Sequence, residues 1–265
     1  MTLRDHFLRE IASTALSPGP GRADLVTASE VASLPEPVRR YLAFMKVSGR
    51  PRDWSFRLGW MGRFRRGQNA SWMPCEAWQY NSNLAVARVM HLRIRFGGMI
   101  PVIGRDSYLA GKGRMLIKLL DRFVIGDGTG EEFDIGELVT YLNDALLLAP
   151  SMLLVPQVSW SAVDRGSFDV ALTDHGRTVS GRVFVDEHGT PRDFSTTDRF
   201  LDDLEHPGTL VRGHWRTPVA EWTEIGGRPL PAKAKATWRL PQGDFNYVDF
   251  QLMPDSVAFN VPPGA

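Results

Sequence analysis

The chain has 265 residues, with 31 lysines and arginines against 30 aspartates and glutamates, a net charge of +1. Apolar residues make up 43% and charged residues 23%, which excludes a disordered chain, and the near-zero net charge argues against nucleic acid as the main partner. A single cysteine, Cys75, excludes a disulfide framework and a multi-cysteine zinc or iron–sulfur site, and the longest apolar stretch, Ala145 to Val155, is interrupted by Pro150 and Ser151 and falls short of the ~20 residues that span a bilayer.

The chain opens on Met1-Thr-Leu-Arg-Asp-His, with scattered charge and no apolar export core, so the expectation is a cytoplasmic protein with no integral membrane segment. A short helix is predicted over 3 to 16, ended by Ser17-Pro-Gly-Pro-Gly21. A second is predicted over 28 to 45, with Thr27 or Ser29 as N-cap and Pro35 and Pro37 disturbing its first turns. Leu34, Val38, Tyr41, Leu42 and Met45 form its apolar face, and residues 1–46 read as an N-terminal helical segment.

From Asp53 the period changes to two. Trp54, Phe56, Leu58, Trp60 and Phe64 alternate with Ser55, Arg57, Arg63 and Arg65, which predicts a half-buried strand with an aromatic inner face and a basic outer one. Arg57, Arg63, Arg65 and Arg66 then make a solvated face or a contact for anionic lipid. Further strands are predicted at about 72–80, 84–95, 105–109, 112–119 and 122–126, punctuated by glycine and asparagine turns. A helix follows over about 134–148, with Asp134 as cap and Glu137 three residues on in a capping-box arrangement. Leu138, Leu142, Ala145 and Leu146 form its stripe and Pro150 stops it. Strands resume at about 157 and continue to 252, with Asp174-His-Gly176 and Glu187-His-Gly189 as hairpin turns.

This pattern predicts one domain over 1–265, α+β but mostly β. Its body is a single large curved antiparallel sheet over 53–260, an incomplete barrel, because so many strands cannot lie flat. The central helix sits inside the concave face or across its mouth. The aromatic residues either fill the interior or line a hollow for an apolar ligand; candidate lining residues are Trp54, Phe56, Trp60, Lys118, Trp160, Trp215, Trp238 and Tyr247.

Several segments carry a resemblance. Leu34-Pro-Glu-Pro-Val-Arg-Arg-Tyr-Leu42, Tyr108 to Leu119, Gly136 to Asp144, Trp160 to Asp164, Gly227 to Pro231 and Trp238 through Gly243 to Tyr247 resemble an uncharacterised bacterial family, a domain of unknown function, over roughly residues 32 to 260. The layout of meander plus helix is also similar to the half-barrels of periplasmic lipoprotein carriers, an analogy of fold alone.

Phosphate-binding glycine loops, the zinc-protease helix and the serine-hydrolase elbow are all missing from the sequence. The six histidines are scattered, so neither metal nor cofactor is expected. Cys75 reads as an inert buried thiol. Two functions lead, and a third reading, a purely structural or interaction module, would instead show a filled core and a large exposed apolar patch. The first is binding of an apolar or amphipathic small molecule, a lipid or polyketide-like chain, in the concave face. The second is a cofactor-free enzyme that cyclises or isomerises such a substrate by positioning. For the second, Asp144 is the candidate acid or base, with Arg199 or Tyr108 orienting the substrate. Asp144 stands either on an exposed polar face of the helix or in a hollow where burial raises its pKa and a cation such as Arg199 lowers it again.

Overall fold

The structure is a computed structural model and describes residues 2–202, 206 and 208–265. Helix α1 (Leu3–Ala12) is closed by a Thr2–Asp5 capping box. The expected second helix is two, α2 (Ala28–Ala32) and α3 (Glu36–Phe44). Thr27 caps α2 through Glu30, and the break falls at Leu34–Pro35, where a proline disfavours helical backbone in the residue before it.

A first run of strands follows: β1 (Ser55–Phe64), β2 (Met73–Ser82), β3 (Ala87–Phe96), β4 (Ile100–Leu109), β5 (Lys112–Leu119) and β6 (Phe123–Thr129). Each pairs antiparallel with the next, so the chain walks outward to the edge at β6. Helix α4 (Glu131–Leu148) then carries the chain across to the opposite edge, β7 (Val158–Asp164). The second run is β8 (Ser167–Asp174), β9 (Arg177–Val185), β10 (Pro191–Asp202), β11 (Leu210–Arg216), β12 (Val219–Ile225), β13 (Arg228–Leu240) and β14 (Gly243–Leu252). It walks back until β14 pairs with β1; β12 pairs with β13, and a short β15 (Ala258–Phe259) pairs with β1. The sheet is mostly β, antiparallel throughout and not closed into a barrel, as the sequence predicts.

Helix α4 packs on β3 to β6 at one side and on β8 to β10 and β13 at the other, so the sheet curves around it and it lies inside the concave face. It starts earlier than expected, after Gly130, and Asp134 does not cap it. The buried Asp134 carboxylate accepts hydrogen bonds from Gly113 N (2.8 Å), Lys112 Nζ (3.1 Å) and Arg177 Nη2 (3.0 Å), tying the helix to β5 and β9. Only glycine permits this approach, since a Cβ on Gly113 would lie 2.0 Å from the carbonyl oxygen of Phe133. Asp followed by Glu three residues later reads as a capping box, but here both side chains turn outward to neighbouring groups instead of back to their own backbone.

Two cores result. The larger fills the concave side around α4, with Tyr41 of α3 donating its hydroxyl to the carbonyl of Leu146 (2.6 Å). The smaller lies on the convex side, where α1 places Leu3, Phe7 and Ile11 on Trp78, Tyr80 and Val89. Cys75 is buried, and burial pushes its thiol up to about 12, so it stays protonated.

Candidate functional site

The alternation of β3, β4 and β5 sends one set of side chains to each face. Arg88, Met90, Leu92 and Ile94 face the concave side, and so do Val102, Gly104 and Asp106 and, from β5, Met115 and Ile117. Together with Trp60, Leu147, Trp215, Tyr247 and Phe250 they line an open cavity of about 250 Å³ between α4 and the sheet. Its walls are mostly aliphatic and aromatic.

One wall is ionic. The Arg88 guanidinium, 3% exposed, donates from Nε to Asp144 Oδ2 (2.7 Å) and from Nη1 to Glu137 Oε2 (2.9 Å). Gln79 Nε2 donates to the same Asp144 oxygen (2.6 Å). Across the space, Arg199 donates to the Thr140 hydroxyl and lies 4.6 Å above the Trp215 ring. Asp106, opposite Met90 in the ladder, faces the cavity half-buried and accepts no hydrogen bond from a described residue.

Around this polar end of the cavity stand two guanidiniums, Arg88 and Arg199, and three carboxyl groups, Asp106, Asp144 and, behind the lining, Glu137. Burial raises the Asp144 carboxyl more than Arg88 and Arg199 lower it. Burial likewise raises Asp106 against the pull of Arg88, Arg199 and His91. Burial and the Asp106 charge lift Glu137 to about 7, despite Arg88 and Arg199. Burial works against the charge of Arg88, but Asp144 and Glu137 outweigh it and hold the guanidinium protonated. The burial that raises the three carboxyls favours their protonated forms, and Arg88 and Arg199 offset the charge of those that ionise.

The predicted site residues divide. Asp144, Arg199, Trp60, Trp215 and Tyr247 line the cavity. Trp238 stacks behind Tyr247, ring centroids 6.4 Å apart. Tyr108 does not reach the cavity; it is fully buried beside the start of α4 and donates its hydroxyl to Asp174 Oδ2 (2.7 Å). Lys118 points to the other face of the sheet, where its charge acts on Glu10 of α1. Phe56 packs under Phe259 of β15, Trp160 between Tyr41 and Phe168, and Trp54 against Gly19. Asp144 is paired by Arg88, not by Arg199.

Arg88, Asp106 and Glu137 were not among the predicted residues, yet a signal exists. Arg88 heads the inward stripe Met90, Leu92, Ile94, and an arginine on an otherwise apolar strand face marks a buried charge in need of partners. Glu137, Thr140 and Asp144 fall at helical spacing on α4. Among the described residues no group of histidine, cysteine, aspartate and glutamate side chains is placed to hold a metal ion, and no helix is long and apolar enough to cross a membrane.

A family model matches residues 24–250, most of the chain. The chain belongs to the family of unknown function DUF6544. The segments that carry the resemblance in the sequence lie within the matched range. No curated protein matches the sequence. Among solved structures, the DUF6544 chain is similar to a DUF1329 family protein from Desulfovibrio piger (11% identity, TM-score 0.45, covering 88% of this chain and 94% of that one). It is also similar to a LolA superfamily protein from Nitrosomonas europaea (12% identity, TM-score 0.40, 87% and 96% covered). A third is a domain described as an outer membrane lipoprotein-sorting protein from Vibrio parahaemolyticus (9% identity, TM-score 0.36, 78% and 85% covered).

Proposed function

We propose that the cavity binds an apolar or amphipathic small molecule, such as a lipid or a polyketide-like chain, with its polar end at the Arg88–Asp144 wall. The cavity itself carries this reading. Its lining of aliphatic and aromatic side chains leaves about 250 Å³ unfilled beside α4, apolar surface that a ligand would remove from water. Small inward residues, Gly104, Ala234 and Ala236, keep it open where larger side chains would close it. A ligand would cover that surface, and the ionic groups limit which end of the ligand lies against them.

Native mass spectrometry of the purified protein tests the proposal: a retained small molecule names the class. Absence of a retained mass, together with no saturable binding of a fluorescent apolar probe, rejects it.

One observation favours a second reading, a cofactor-free enzyme acting on such a ligand. Asp106 faces the cavity with no hydrogen-bond partner among the described residues, and Glu137 nearby is held at about 7, so the wall can hold or yield a proton near neutral pH. Asp144, anchored by Arg88 and Gln79, then acts as a positioning residue and Asp106 as the group that meets the substrate. Asp106→Asn with retained ligand binding and unchanged turnover of a bound ligand removes this reading.

A further inference from the structure

The cavity's apolar wall continues past the cavity. On β3 the inward stripe runs from Arg88 to Ile94 and on to Phe96, and on β4 from Asp106 to Val102 and on to Ile100. Phe96 and Ile100 are paired at the hairpin tip, and the next tip, Leu120–Phe123, is joined to it by the Leu120 N–H to the Pro101 carbonyl (2.9 Å). Of the thirteen large apolar side chains exposed among the described residues, seven fall between residues 96 and 125. Met99 is 81% exposed, held out by the left-handed Gly97-Gly98 turn. An exposed cluster of this kind marks an interaction surface.

Its charge is predominantly basic. Arg95 and Arg122 are exposed beside the tips, and neither forms an ion pair with a described residue. Arg66 is exposed in the β1–β2 turn on the same end of the sheet. One exposed acid, Asp121, also stands at the tips, 3.1 Å from His6 Nδ1, against the three exposed arginines. Two further arginines of the β1 face are engaged: Arg63 pairs with Asp249 (2.7 Å), and Arg65 donates to the Asn246 and Gln68 carbonyls.

We infer that the β3–β4 and β5–β6 hairpin tips dock this protein on an anionic lipid surface, Met99 and Phe123 entering the interface while Arg66, Arg95 and Arg122 lie at the headgroups. The tips are then the mouth through which an apolar ligand passes between bilayer and cavity; that last clause rests on the binding role proposed above. Two features favour a bilayer over a second copy of the chain pairing at the β6 edge. Met99 and Leu120 sit on turns, off any ladder that edge pairing would extend. The second half of β6 reads Gly126-Asp-Gly128, with Asp127 paired to Arg114 (2.7 Å), a poor template for another strand.

Vesicle flotation tests the inference, using phosphatidylcholine alone and phosphatidylcholine mixed with phosphatidylglycerol. The protein is expected to float with the mixed vesicles and to be released by salt. Met99→Ser with Phe123→Ser is expected to weaken binding about tenfold or more. Arg95→Gln and Arg122→Gln are each expected to cost about fivefold on the mixed vesicles and nothing on phosphatidylcholine alone. All four positions are exposed, so melting is expected to stay unchanged, and saturable probe binding in the cavity is expected to be retained. Failure to float, or flotation indifferent to the tip variants, overturns the inference while intact probe binding leaves the cavity's role standing. A dimer that the tip variants dissolve also overturns it and assigns the surface to a second copy.

Discussion

Helix α4 is buried almost all round, yet its two faces meet different surroundings. Leu138, Leu142, Ala145 and Leu146 press into a filled core with Phe168, Val170 and Phe194. Glu137, Thr140, Asp144 and Leu147 look toward the β3–β5 side, where the space is left open and the polar groups answer Arg88 and Arg199. One face spends its residues on packing; the other keeps a hollow whose charges satisfy one another. Stability should therefore respond to core volume on the first face and to charge balance on the second.

The largest effect is expected from Arg88→Met, which leaves two buried carboxyls without their cation. The expected loss is about 3–5 kcal/mol by urea denaturation; a loss under about 1 kcal/mol contradicts a mutually dependent wall. On the packed face, Leu142→Ala is expected to cost about 2–5 kcal/mol, and Leu147→Ala about half as much because that side chain already borders open space. Equal losses erase the distinction between the faces.

The charge balance also sets a pH dependence. Glu137 is lifted to about 7 from an ordinary 4.5, so the folded state holds its proton more tightly than the unfolded chain. Its contribution is fully present below about 4.5 and is lost as pH rises through about 7. Subtracting the stability–pH curve of Glu137→Gln from that of the parent is expected to reveal a fall on the order of 3 kcal/mol across that window. A flat difference curve shows that Glu137 titrates as an ordinary carboxyl. The smallest effect is expected from Asp106→Asn. It removes a carboxyl that no described residue hydrogen-bonds, so stability stays within about 1 kcal/mol of the parent or rises slightly.

Much of this architecture is legible in the sequence. Period-two alternation from Asp53 onward declares the strands, and the Leu138–Leu142–Leu146 stripe declares the helix and its packed face. Alternation also puts Phe56 and Trp60 on one side of β1, but it cannot say how far along the strand the cover changes. Phe56 meets Phe259, which arrives from the far end of the chain, whereas Trp60 meets the cavity. Tyr108 shares the inward face of β4 with Asp106, two residues closer to the start of α4, and is sealed there against Asp174. Such outcomes depend on contacts between residues many tens of positions apart. Arg88 is the opposite case: a lone arginine on an apolar inward stripe is visible in the sequence, and its partners lie on the helix that the sequence also shows.

The central claim is that the hollow beside α4 receives an apolar ligand, and Gly104 tests it most directly. This residue faces the cavity from the middle of β4, and a Cβ placed there meets only ordinary contacts, 3.8 Å to the Leu92 carbonyl oxygen and 3.9 Å to its Cβ. Gly104→Phe is therefore expected to fill the space without straining the strand. Titration of a fluorescent apolar probe should show saturable binding to the parent and none to Gly104→Phe, whose melting temperature stays equal or rises. Undiminished probe binding by a folded Gly104→Phe would contradict the account.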